Sequence, residues 1–182
     1  MDRVSEVEAL LREVLGDGDV AARHQRLADV RDAATVGEHL EYGELDVRSV
    51  ARVLAATGVD PDERFVDIGS GEGLPVLAAA LLYPDTLTAV RGIELVPERL
   101  ARAHRHAERL RVQRPDVAIA PVTWLEGDVY TTAGPTGQAL ADSTLALCFA
   151  TTWSRGAPRR ELPRLSRALA ETMPPGARVV IV

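Results

Sequence analysis

Val66-Asp67-Ile68-Gly69-Ser70-Gly71-Glu72-Gly73-Leu74-Pro75 is the stretch that decides the fold. A short apolar run, Arg64 to Ile68, stops at three glycines, and Leu74 to Leu82 continues with helical character. Glycines between a strand and a helix let the backbone turn sharply and approach a ligand closely. Their spacing, G-x-G-x-G, separates the ligand classes. A dinucleotide loop places its third glycine at position 74, where this chain has Leu74. A phosphate-binding P-loop needs a lysine, and the chain has none: all 21 of its basic residues are arginine. Asparagine is absent as well. Both absences follow from a GC-rich coding sequence, so a bacterial source is expected.

Outward from the loop, the pattern predicts alternating strands and helices. Upstream, Val4 to Leu15 reads as a helix closed by Gly16 and Gly18, 21–34 as a second, and 37–43 as a loop. Asp46 can cap a third helix, with Val47, Val50, Ala51 and Leu54 on one stripe and Gly58 as its stop. Downstream, strands are expected at 87–95, 122–125, 144–150 and 178–182. A long helix runs from Pro97 to Pro115 and another over 158–173. This is an α/β domain on a mostly parallel, Rossmann-like sheet of five strands. The expected division is a helical N-terminal cap, 1–57, and a ligand-binding core, 58–182.

The glycine loop resembles the acid-x-Gly-x-Gly-x-Gly loop of class I S-adenosylmethionine (SAM) methyltransferases, with Asp67, Gly69, Ser70, Gly71, Gly73 and Leu74 as cofactor-binding candidates. Two acids support that resemblance. Glu94, followed by Leu95, closes the second strand, where a carboxylate can accept hydrogen bonds from both ribose hydroxyls of a nucleoside. Asp128, in Gly127-Asp128-Val129, follows the third strand. There it can accept from an adenine amino group, with Val129 against the ring. All three elements sit where open α/β sheets bind ligands.

Tyr42-Gly43-Glu44 precedes the loop by about two dozen residues. Together with Asp67–Gly73, Gly92-Ile93-Glu94, Gly127-Asp128 and Pro175-Gly176-Ala177-Arg178, it resembles the DOT family of histone-lysine methyltransferases over 42–182. The resemblance implies that Tyr42 and Glu44 line the methionine end of SAM. After the fourth strand that family carries paired asparagines and aromatics; this chain has Phe149-Ala150-Thr151-Thr152-Trp153-Ser154 instead. The cofactor pocket carries over, and the acceptor does not. Thr151 and Trp153, with Thr152 and Ser154, are the candidate acceptor-site residues. Tyr42, Glu44 and Glu72 are candidate proton acceptors by position.

The remaining sequence narrows the function further. A 46% hydrophobic, 26% charged chain of 182 residues is the composition of a globular protein, with no apolar run of membrane-spanning length. The opening MDRVSEVEALL lacks a signal-peptide core, so a cytoplasmic location is expected. Cys148 is the only cysteine, and His24, His39, His104 and His106 have no metal-ligand spacing, so no metal is expected. A net charge of −6 argues against nucleic acid as a partner. The arginines at 99, 102, 105, 109, 111 and 114 read as a solvated helix face, and the histidines as helix-surface residues. The resulting expectation is a SAM-dependent methyltransferase that yields S-adenosylhomocysteine and has an unidentified acceptor, a protein side chain or a small molecule. The alternative is a non-catalytic SAM-binding protein or partner subunit. Class I sheets usually end in an antiparallel hairpin beyond the fifth strand. The apolar Arg178–Val182 edge then belongs either to a minimal version of the sheet or to one covered by the N-terminal helices or a neighbouring subunit, and the partner considered is a second copy of the chain.

Overall fold

The computed structural model describes residues 2–16, 44–150 and 162–182. Five strands, β1 (Glu63–Ile68), β2 (Leu87–Glu94), β3 (Val122–Glu126), β4 (Leu145–Cys148) and β5 (Arg178–Ile181), form one sheet in the order β3-β2-β1-β4-β5. Every neighbouring pair is parallel. The Rossmann-like expectation holds, and all five strands fall where the sequence places them. The helices are α1 (Arg3–Leu15), α2 (Val47–Thr57), α3 (Leu74–Leu82), α4 (Pro97–Gln113), α5 (Gly134–Ala141) and α6 (Pro163–Thr172). The expected helix at 21–34 and loop at 37–43 lie outside the described residues.

Each element has a local cause. Asp2 and Asp46 cap α1 and α2 by accepting from the Ser5 and Ser49 amides. Pro97 and Pro163 open α4 and α6, where a missing N–H costs nothing. α5 was not expected: GPTGQALA is short and carries two glycines and a proline. It forms because Pro135 starts the turn and Thr136, Gly137, Ala139 and Leu140 are buried beneath it.

Side chains alternate across the sheet and feed two apolar layers. Phe65, Val90, Leu145 and Leu147 face α1, α2 and α3 in one cluster with Val7, Leu11, Val50, Leu54 and Leu77. Val66, Ile68, Ile93, Ala146 and Cys148 face α5 and α6 in the other, with Leu140, Leu165 and Leu169. Residues of the expected N-terminal cap thus share a core with the central strand. α1 is also tied to α3 by Arg3, which donates to the Leu81 carbonyl, and to α4 by Arg109, which donates to that of Val14. Among the described residues, no helix is long and apolar enough to cross a membrane.

The strand order reverses between β1 and β4. β1 is followed in sequence by its neighbour β2 on one side, whereas β4 joins it on the other after two intervening crossovers. Ligands of open α/β sheets bind at such a switch point, beyond the carboxyl ends of the strands. The glycine loop begins at that end of β1.

Candidate functional site

Gly69, Gly71 and Gly73 all take left-handed φ angles, 77°, 56° and 91°. This is the conformation that makes glycine the residue of choice in so tight a loop. The loop is pinned to β2: the amides of Gly69 and Ser70 both donate to the Ile93 carbonyl at 2.9 Å. The amide of Gly71 donates to Glu94 Oε2 at 2.7 Å.

Beside the loop lies a small crevice lined by Glu44, Leu45, Asp67, Gly69, Ser70, Gly71, Pro75, Leu147 and Phe149. β1 and β4 supply adjacent residues of the crevice, with Asp67 in register beside Leu147. Asp67 is 2% exposed, and its Oδ2 has no hydrogen-bond partner; neither does the buried hydroxyl of Ser70. Burial in this apolar wall, with Glu44 and Glu94 adding their negative charge, pushes the Asp67 carboxyl up to about 8. Two acids, Glu44 and Asp67, therefore line one crevice, a third, Glu94, stands behind it, and Asp67, the innermost, is held neutral. Such a site is short of positive charge. Among the described residues, no group of metal-ligating side chains is arranged to hold an ion.

The expected site residues divide into four groups, apart from Gly73 and Leu74, which stand at the start of α3. Glu44, Asp67, Gly69, Ser70 and Gly71 meet at the crevice. Glu44 Oε1 also accepts from the Leu74 amide at 3.3 Å, which ties the segment before α2 to the start of α3. Glu94 stands behind the loop, 4% exposed, accepting from Gly71 and from the Val96 amide at 2.9 Å, with Arg99 at 3.9 Å. Leu95, Gly127, Asp128 and Val129 lie outside the crevice: Leu95 is exposed, Asp128 Oδ1 accepts from the Tyr130 amide, and Val129 is buried. Tyr42, Thr151 and Trp153 lie outside the described residues.

Two expectations need correction. Glu72 does not face solvent or the crevice. It is wholly buried, and Oε1 accepts from Arg102 at 2.5 Å. His106 is not a surface histidine but is 4% exposed, and the basic helix face is in part internal, since Arg99 is 7% exposed. The stripe Arg99, Ala103, His106, Leu110 repeats at helical spacing, so position alone marked His106 as inward-facing. Cys148 is core, as its place within an apolar strand suggests; burial pushes its thiol up to about 12.

Trp124 is a residue that the sequence did not single out. A side chain on Gly92 would lie 2.7 Å from Ser70 Oγ and from two carbons of the Trp124 ring, and one on Gly73 only 2.4 Å from the ring edge. The indole is therefore a slab laid over both glycines, and it fixes the height of the loop above β2. Gly92→Ala is expected to cost about 1–3 kcal/mol from overpacking. Trp124→Leu in the same chain should return most of it, read as thermal unfolding midpoints. Equal loss in the single and double variants would contradict this contact.

The family described as histone methylation protein DOT1 matches residues 25–124, a little over half of the chain. The chain belongs to the DOT1 family. The DOT1 match spans the glycine loop, Glu94 and Trp124, and stops before Leu147 and Phe149 of the crevice. No curated protein matches significantly. Among solved structures, a SAM-dependent methyltransferase of Thiobacillus denitrificans in complex with S-adenosyl-L-homocysteine is 23% identical, with a TM-score of 0.50, over 72% of this chain and 46% of that one. Its counterpart from Geobacter sulfurreducens, with the same ligand, is 22% identical with a TM-score of 0.54, over 86% and 54%. An RNA methyltransferase of Salinibacter ruber, again with S-adenosyl-L-homocysteine, is 22% identical with a TM-score of 0.53, over 76% of each chain. These likenesses show the fold of class I methyltransferases. The chain spans about half the length of the first two.

Proposed function

We propose that this DOT1-family chain binds SAM in the crevice beside the glycine loop and transfers its methyl group to a protein side chain or a small molecule. The observation that carries the reading is Asp67: a neutral, buried acid with an unpartnered oxygen, flanked by Glu44 and Glu94 at the switch point of the sheet. SAM brings an ammonium and a sulfonium, the two cations such a site lacks. Its solved neighbours holding S-adenosyl-L-homocysteine support the same choice.

When bound, the cofactor supplies a methyl carbon whose bond to sulfur breaks as its bond to the acceptor forms, the sulfur keeping the electron pair. The chain's own work is placement. Asp67 and Glu44 would hold the ammonium end, and Glu94 the sugar. Asp128 would receive the adenine amino group, with Val129 as its apolar floor. Leu45, Pro75, Leu147 and Phe149 form the apolar side of the crevice and would exclude water from the sulfur. Glu44 can also take a proton from an amine acceptor, because its carboxylate lines the same space. Tyr42, Thr151 and Trp153 are proposed to complete the acceptor side.

Isothermal titration with S-adenosyl-L-homocysteine should show saturable one-to-one binding, with no heat from NAD or ATP. Absence of binding at millimolar ligand would overturn the reading. Transfer of labelled methyl from SAM to protein or small-molecule fractions then separates a working enzyme from a binding protein.

A further inference from the structure

Glu72 has no place in the chemistry proposed above, yet it is among the most buried polar residues in the molecule. It occupies the centre of Gly71-Glu72-Gly73, at 0% exposure, and does not line the crevice. Its carboxylate accepts a charge-assisted hydrogen bond from Arg102 Nη1 at 2.5 Å. Its main-chain carbonyl lies 3.0 Å from His106 Nδ1, which donates to it as the Nδ1–H tautomer. Two more residues of the same helix reach the same loop. Ala103 Cβ stands 3.0 Å from where a side chain on Gly73 would begin. Arg99 lies 3.9 Å from Glu94, whose other oxygen holds the Gly71 amide. Residues 99, 102, 103 and 106 form one stripe at i, i+3, i+4 and i+7, and all of it faces the loop.

We propose that Arg102 and His106 are positioning residues for the cofactor loop: they grip Glu72 from behind, hold its backbone in the binding conformation, and so set cofactor affinity without touching the ligand. The inference rests on the proposed SAM site for its affinity readout, but the grip itself is a property of the free protein. A loop of left-handed glycines has many alternative conformations, and an ionised side chain at its midpoint confines it only if the partner is fixed. The partner is fixed here because α4 is anchored at its far end by Arg109 on the Val14 carbonyl.

The test uses the full chain with Arg102→Gln, Glu72→Gln, the double variant and Arg102→Lys. Two readouts are taken: affinity for S-adenosyl-L-homocysteine, and amide hydrogen exchange of Gly71–Gly73 in the ligand-free protein. Arg102→Gln should weaken affinity about 10-fold or more, on the scale of a lost charged hydrogen bond. It should also speed exchange in the loop while leaving β1 protected. The double variant should be no worse than Arg102→Gln, because the two side chains act as one unit. Arg102→Lys, which keeps the charge, should fall between parent and Arg102→Gln. Unchanged loop exchange in Arg102→Gln, or strictly additive losses in the double variant, overturns the proposal. If the parent itself fails to bind S-adenosyl-L-homocysteine, the function proposed above fails, and loop exchange still decides the grip. Should Arg102→Gln not fold, Arg102→Lys and Glu72→Gln carry the same comparison.

Discussion

Asp67→Asn should unfold at a higher temperature than the parent at pH 8 while losing about 10- to 100-fold in affinity for S-adenosyl-L-homocysteine, the range of a charged hydrogen bond. The two halves of this result share one cause. In the folded chain, burial and then the charges of Glu44 and Glu94 raise the Asp67 carboxyl from 3.8 to about 8. Between those values the native protein holds a proton that the unfolded chain has released, so stability falls as pH rises from 4 towards 8. Each pH unit in that window costs about 1.4 kcal/mol. Asparagine keeps the shape and has no proton to lose. Its advantage should therefore grow by about 3–4 kcal/mol between pH 5 and pH 8. Calorimetric unfolding at three pH values checks this; parallel profiles for parent and variant would refute it.

Glu94→Ala is the second large effect, and its origin is structural before it is functional. The sequence marks Glu94 as a ribose acceptor. The structure adds that both oxygens already hold the framework: Oε2 the Gly71 amide, Oε1 the Val96 amide and, at 3.9 Å, the buried Arg99. Removing the carboxylate takes the acceptor from the Gly71 and Val96 amides and one negative charge from the neighbourhood of Arg99, which is 7% exposed, a change that costs about 3–5 kcal/mol. Glu94→Gln preserves the volume and one acceptor and should cost less than half as much. Denaturant unfolding with an unchanged slope measures both. An alanine variant within 1 kcal/mol of the parent would show that Arg99 does not depend on Glu94. Cofactor affinity should fall in both variants, and in the glutamine variant the loss reports the sugar contact with less framework damage.

The glycine loop and the positions of the acids at the strand ends were legible because they are local, although Asp128 lies outside the crevice. A strand, three glycines and a helix occupy consecutive residues, and each acid closes its own strand. The alternation of periods two and 3.6 was equally visible, which is why β1 to β5 fall where expected. α5 escaped notice because its burial comes from Gly127 and the Thr132 carbonyl pressing on Thr136 and Gly137, not from an amphipathic pattern of its own. The role of Glu72 escaped notice because it depends on a helix 30 residues further on. Periodicity says which way Arg102 points, not what waits there. Trp124 was hidden for the same reason: its partners, Gly92 and Gly73, belong to other elements.

The central strand has a further consequence for how the chain matures. One of its two neighbours, β4, pairs with it only after a separation of about 80 residues, as the Arg64–Thr144 contact shows. The closure entropy of that long segment must be met before the contacts it brings can repay it. During synthesis, Phe65 and Val66 therefore leave the ribosome well before Leu145 and Ala146 exist to cover them. The half-built sheet at that stage is where a chaperone would have most to shield.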